Sequence, residues 1–298
     1  MSDPMIERFK QYISEQQKKL SYSATNTVEK ETPDESIPYI NYREIGLPKD
    51  KKNQKVVTNE EYDDLPHERL PNLSWRDHND NKHLGKDSKS ITSTLKKSAP
   101  KLTGEHKRAV TDYTGKTGDE SSGSLNNNLL KPKVPMHWRT HAWAKLLHKA
   151  TSHPIGHDVH LYSGVHSDPR KWEKSDDGST HLRAFTSMSH DKKIAHVFGH
   201  QWTAGERGKN ASPSGKKGEV HIIHLHAKAN DHGLHATQHS PYSEHETILP
   251  AGTHIKPHPD HKGPEIHKAS DGTKVHIHHY VISKQEHSDH YKPANKIY

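Results

Sequence analysis

The sequence contains no cysteine, which excludes disulfides, thiolate nucleophiles and cysteine-ligated zinc. Hydrophobic residues occupy only 28% of its 298 positions and mean hydropathy is −1.12, too little apolar side chain to build a core along the whole length. Part of the chain is therefore expected to stay unfolded. No apolar run approaches membrane-spanning length, and the start, MSDPMIERFKQYISEQQKKL, scatters charge where a secretory signal needs a continuous apolar stretch. A soluble protein without membrane contact is expected.

Charge and histidine are abundant. The 44 Lys and Arg exceed the 37 Asp and Glu, giving a formal net charge of +7 that favours anionic partners such as nucleic acid, a nucleotide or an acidic surface. There are 31 histidines. In HIIHLH, His224 and His226 would share a strand face, as would His276 and His278 in HIHH, so a zinc or nickel site is sterically conceivable. Histidine recurs in nearly every segment, however, and no H-E-x-x-H motif is present. Compositional bias on solvent-facing strand positions is the reading adopted, and no metal site is assigned.

Residues 1–98 mix short apolar fragments with polar stretches and show no sustained period, which reads as a largely disordered N-terminal region. Its one helical pattern is Met5, Ile6, Phe9 and Ile13. From Leu102 the character changes. Thr103 as N-cap, an apolar stripe of Ala109, Val110 and Tyr113, and Gly115 as a stop predict a short helix. A second amphipathic stretch carries Trp138, Ala142, Leu146 and Leu147 and ends before Pro154. Beyond it the period falls to 2, and DVHLYSG, LRAFTSMS, EVHIIHLHA, ETILPAG, THIKP and KVHIHHYVIS read as strands. Between two of them, SHDKKIAHVFG reads as a helix capped by Ser189. Helices followed by strands predict an α+β domain over 99–285, with 286–298 as a C-terminal tail.

The stretch SPYSEHETILPAGT places Glu244 and Glu246 one residue apart, so in an extended segment both face one space. Like charges that close repel, so a cation, or a reaction that builds one, would justify them. Together with HLYSG and FTSMS, in that order, this stretch resembles the mono-ADP-ribosyltransferase domain of the bacterial exotoxin (Arg-Ser-Glu) type, including its phage-encoded relatives. Upstream, Tyr113, Thr114, Leu125, Asn126 and Leu129 extend the resemblance, which covers about residues 100–285.

The resemblance implies N-terminal helices and then two mainly antiparallel sheets around an NAD cleft, with NAD as substrate. It also implies an arginine of a target protein as acceptor, a monomer, and a secreted or injected effector. Glu246 matches the carboxylate that holds the ribose as an oxocarbenium-like sugar forms. Glu244 matches the acid that activates the acceptor, a task that suits arginine because its guanidinium stays protonated. Ser187 matches the residue that orients Glu246. Tyr162, Ser163 and Gly164 fall on the nicotinamide-binding strand, with Phe185, Thr186 and Ser189 on the next. Arg207, Lys209, Lys216 and Lys217 fall in a loop near the dinucleotide phosphates.

One position departs from the pattern. Ser163 stands where arginine is expected, and a hydroxyl cannot make a bidentate contact to phosphate. Arg183 is the expected substitute, on the same strand face as Phe185 and Ser187 and about 13 Å from Ser187. The alternatives are a catalytically decayed domain serving as a virion protein and a nucleic-acid-binding protein, the latter suggested by stretches such as STLKKSAPKL.

Overall fold

A computed structural model describes residues 80–115, 121–165, 167–204, 219–240, 244–268, 273–286, 291–295 and 297. The helix expected around Met5 to Ile13 and the loop carrying Arg207, Lys209, Lys216 and Lys217 lie outside the described residues.

The folded body begins before the expected boundary at 99. Helix α1, Ser88–Ser98, is capped by Asp87, whose carboxylate accepts from Ser90 N, and buries Ile91 and Leu95 at 1% exposure each. Only those two apolar residues, one turn apart among serines, threonines and lysines, mark the helix, too short a pattern to stand out. Asn81 extends the body further. Its side chain accepts from His160 N at 2.7 Å and donates to His160 O at 2.8 Å, standing in for a neighbouring strand.

Helices α2, Gly104–Thr114, α3, Ser122–Leu129, and α4, Trp138–Thr151, follow. The predicted stripe of α2 is buried, and so are Ala142, Leu146 and Leu147 of α4. These helices build one apolar cluster that includes Phe185, Ile248 and Tyr291. Described residues of the expected C-terminal tail, 286–298, pack against the helices. Tyr291 stacks on His148 at 3.8 Å, and Asn295 Nδ2 donates to the carbonyls of Asn128, Lys131 and Val134. The last two carbonyls lie just past the end of α3 and Asn128 within its last turn, where backbone acceptors lack helical partners.

Strands β1, Val159–Val165, β2, Thr180–Leu182, and β3, Thr186–Ser189, precede helix α5, Lys192–Ala204. Then come β4, Glu219–Ala227, β5, Leu234–His235, β6, Glu246–Leu249, β7, Thr253–Pro257, β8, Glu265–Lys268, and β9, Lys274–Lys284. They hydrogen-bond in the order β2-β7-β9-β4-β1-β3-β6-β5, with β8 also on β9, and every pair is antiparallel except β4 with β9. The expected α+β class with a mainly antiparallel architecture is what the chain adopts. The two expected sheets are two halves of one path, joined where β1 meets β3 at the single pair Tyr162↔Ser189. No helix among the described residues is long and apolar enough to cross a membrane.

Helix α5 lies across β1 because both are stripped of side chain at the contact. A Cβ at Gly164 would fall 2.2 Å from Ala195 O and from Gly199 N. Those are backbone atoms, so the approach requires glycine.

Candidate active site

The joint between the two halves carries the acidic pair. Approaching it, Phe185 is 2% exposed and packs edge-on against Tyr113. Its carbonyl accepts from Tyr113 Oη at 3.3 Å and from Asn126 Nδ2 at 2.9 Å. Two residues singled out upstream thus fix the entry into β3. Phe185 serves the core, and Thr186 Oγ1 turns back to the Ala184 carbonyl.

Strand β3 then pairs with β6, Ser189 opposite Glu246 and Ser187 opposite Ile248. Residues opposite each other share a face, so Ser187 sits diagonally beside Glu246, close enough to hold the Glu246 pKa below where burial alone would put it. Ser189 is the last residue of β3 rather than the cap of α5. Its hydroxyl donates to the Glu244 carbonyl at 2.8 Å and accepts from Asp191 N, while Asp191 accepts from Lys193 N and caps the helix. The serine is thereby free to anchor the acidic loop.

Glu244 and Glu246 come together, though not by strand alternation. Strand β6 begins at Glu246, and the intervening His245 has φ +50°, in the left-handed region that residues with a Cβ seldom adopt. Packing holds it there. The His245 ring is 4% exposed, its Nδ1 lies 2.9 Å from Thr92 Oγ1 of α1, and its carbonyl accepts from His190 N. The helix missed in the sequence is therefore what braces the acidic loop from behind.

Burial raises the pKa of both acids. For Glu244 the second cause is the neighbouring Glu246 charge, and for Glu246 the Ser187 hydrogen bond offsets part of the rise. Glu246 is 6% exposed, and Glu244 Oε1 is buried with no hydrogen-bond partner among the described residues. Such a pair holds a proton near neutrality until a cation arrives, because removing both charges from water and setting them side by side is unfavourable.

The nucleotide-side residues divide. Ser163 Oγ donates to the Ser187 carbonyl at 3.2 Å, which ties the position that departs from the pattern to the backbone of β3. Tyr162 points to the opposite face of β1, where its phenol donates to Asp80, itself 2.6 Å from Lys192 Nζ. Asp80 falls in the segment expected to be a largely disordered N-terminal region, and nothing in the sequence marked it. The gap that glycine leaves at position 164 is filled by α5 on that same face.

Arg183 is a correction. It does not share a strand with Ser187: β2 ends at Leu182 and pairs with β7, whereas β3 begins at Thr186 and pairs with β6 and β1. The expected single strand is two, at separate places in the sheet order, so alternation cannot carry Arg183 toward Ser187. Its guanidinium instead lies 3.3 Å from Glu173, with both side chains exposed.

No protein-family model and no curated protein matches this sequence. Among solved structures, the chain is similar to Plx2a, an ADP-ribosyltransferase toxin from Paenibacillus larvae, at 15% identity and a TM-score of 0.45, over 72% of this chain and 100% of that one. It is similar to the Vis toxin, an ADP-ribosyltransferase from Vibrio splendidus, at 16% identity and a TM-score of 0.44, over 66% of this chain and 83% of that one. A third is BECa, an ADP-ribosylating toxin of C. perfringens solved with NADH, at 12% identity and a TM-score of 0.48, over 70% of this chain and 49% of that one.

Proposed function

We propose that the chain is a mono-ADP-ribosyltransferase that moves ADP-ribose from NAD to an arginine side chain of a target protein, releasing nicotinamide. The observation that carries this reading is the buried pair of Glu244 and Glu246, with Ser187 diagonally beside Glu246. Both partners of the reaction bring positive charge. The nicotinamide ring of NAD is cationic, the ribose becomes an oxocarbenium-like cation as the bond to nicotinamide breaks, and the acceptor guanidinium is protonated. Each would draw a proton off the acids and replace their mutual repulsion with attraction.

The surroundings of the two acids support a division of labour. Glu246 is fixed by Ser187 and stabilises the sugar cation, since a preorganised charge acts without reorganisation when the transition state forms. Glu244 retains an unbonded carboxylate oxygen and takes the guanidinium proton as the arginine attacks. Ser163 bonds to a backbone carbonyl, so the dinucleotide phosphates must be held by other groups.

The test is nicotinamide release from NAD by the full chain, followed by transfer of labelled ADP-ribose to agmatine, a small guanidinium acceptor. Glu246→Gln should abolish both activities, by about 10³-fold or more. Glu244→Gln should mainly abolish transfer; equal loss in both assays would refute the assigned roles. Inactivity of the wild type with recovery in Ser163→Arg would mean that this site has decayed.

A further inference from the structure

The histidines read as solvent-facing are largely not so. His221, His224, His276, His278 and His279 are each at most 8% exposed, because β4 and β9 run through the middle of the sheet. On one face of the sheet the pairs His160↔His226 and His224↔His279 bring four imidazoles from β1, β4 and β9 together. His258 and His261, in the loop between β7 and β8, close over them, with His226 lying 4.3 Å from His258 and 5.8 Å from His261 between ring centroids. Ser163 neighbours His160 and His224 at odd spacing along β1 and β4, so this seam and the orienting serine occupy opposite faces.

We propose that His226, His261 and His279 bind one divalent transition-metal ion of the zinc class, with a fourth coordination position open. One nitrogen from each lies within 4.8 Å of the other two. His226 Nε2 and His279 Nδ1 face each other at 3.1 Å, against about 3.3 to 3.4 Å between nitrogens that share a tetrahedral zinc at 2.0–2.1 Å. On the far side of the ring, His279 Nε2 lies 3.4 Å from Glu265 Oε2. A carboxylate at that distance favours the proton on Nε2 over Nδ1 and so leaves the Nδ1 lone pair toward His226, the sense in which nearby carboxylates orient metal-ligating histidines. His261 stacks flat on His279, with ring centroids 3.6 Å apart.

Two neighbouring groups are less suited. Asp168, near His221 and His278, is already gripped by Arg170 through contacts of 2.7 to 3.1 Å. In the group of His160, His224 and His226, His224 Nε2 already has His160 Nδ1 at 2.8 Å and lies 3.7 Å from Asp80, which pairs with Lys192. The chosen site also has a mechanical consequence. Strands β7 and β8 both pair with β9, and an ion on His261 would pin the loop joining them to β4 and β9.

The test uses the full chain stripped with a chelator and titrated with Zn²⁺ and, separately, Co²⁺. One tight equivalent is expected, with the visible absorption of tetrahedral Co²⁺ and a rise in melting temperature as metal is added. His261→Ala removes a ligand from a surface loop without opening the core and should weaken affinity at least 100-fold. Glu265→Gln should weaken it about 10- to 100-fold. Weak binding of several equivalents only, or tight binding that survives His261→Ala, would overturn the assignment.

Discussion

The acidic pair beside the β3–β6 pairing and the histidine seam across β1, β4 and β9 are both places where ionisable groups are crowded out of water, and burial acts on them in opposite senses. It raises the carboxyl groups of Glu244 and Glu246. It lowers the imidazoles, His226 to about 3 and His279 to about 4, with neighbouring histidines adding to the effect. Near pH 7 both sites thus lean toward neutrality, and both are completed by a cation. They differ in what each can accept. Carboxylates with one unbonded oxygen suit a transient organic cation, whereas facing nitrogen lone pairs suit an ion that stays.

The largest expected effect breaks the two regions apart. Glu246→Gln should cost about 10³-fold or more in nicotinamide release while leaving Zn²⁺ affinity unchanged, because the seam lies on the face of β1 away from Ser163. His261→Ala should do the reverse, losing the metal while keeping the rate of nicotinamide release. Isothermal titration and the release assay on both variants test this, and a single variant that impairs both properties would join the sites that the sheet separates.

A smaller effect concerns stability and pH. A carboxyl group whose pKa is raised by folding keeps its full contribution below the unfolded value, about 4.3 for Glu, and loses it as pH rises through the folded value. The chain should therefore lose stability from this source as pH rises above that ordinary value, because the folded pair binds more protons than the unfolded one. Glu244→Gln removes one charge and its repulsion of Glu246. It should be more stable than wild type by about 1 to 3 kcal/mol at pH 8, and by little at pH 4, where the wild-type pair is already protonated. Urea titrations at the two pH values measure it, and a gain independent of pH would mean that repulsion is not the cause.

Much of this was legible in the sequence, and the gaps have physical reasons. The periods of α2 and α4 and the strand alternation rest on local patterns, and those patterns survive in the fold. Arg183 was misplaced because alternation holds only within one strand, and Leu182 to Thr186 is where the chain passes from one end of the sheet order to the middle. Helix α1 and Asn81 were missed because their stabilisation is tertiary: two buried apolar residues, and one amide paired with the backbone of a strand 79 residues away. The histidine seam was discounted because composition alone cannot distinguish scattered imidazoles from converging ones. Only the register of β1, β4 and β9 does that.

The smallest effect concerns how the acids are brought together. If the left-handed His245 backbone, rather than its ring, turns Glu244 toward Glu246, replacements that remove the same ring should differ by backbone alone. Alanine keeps a Cβ that disfavours φ +50°, at about 1 to 2 kcal/mol. Glycine avoids that cost but loses roughly 0.4 to 1 kcal/mol to the greater freedom of its unfolded chain. Both variants forfeit the contact with Thr92 Oγ1, so that loss cancels between them. His245→Gly should then be more stable than His245→Ala by several tenths to about 1 kcal/mol and should retain more transfer activity. The opposite order would assign the turn to the buried imidazole and its hold on α1.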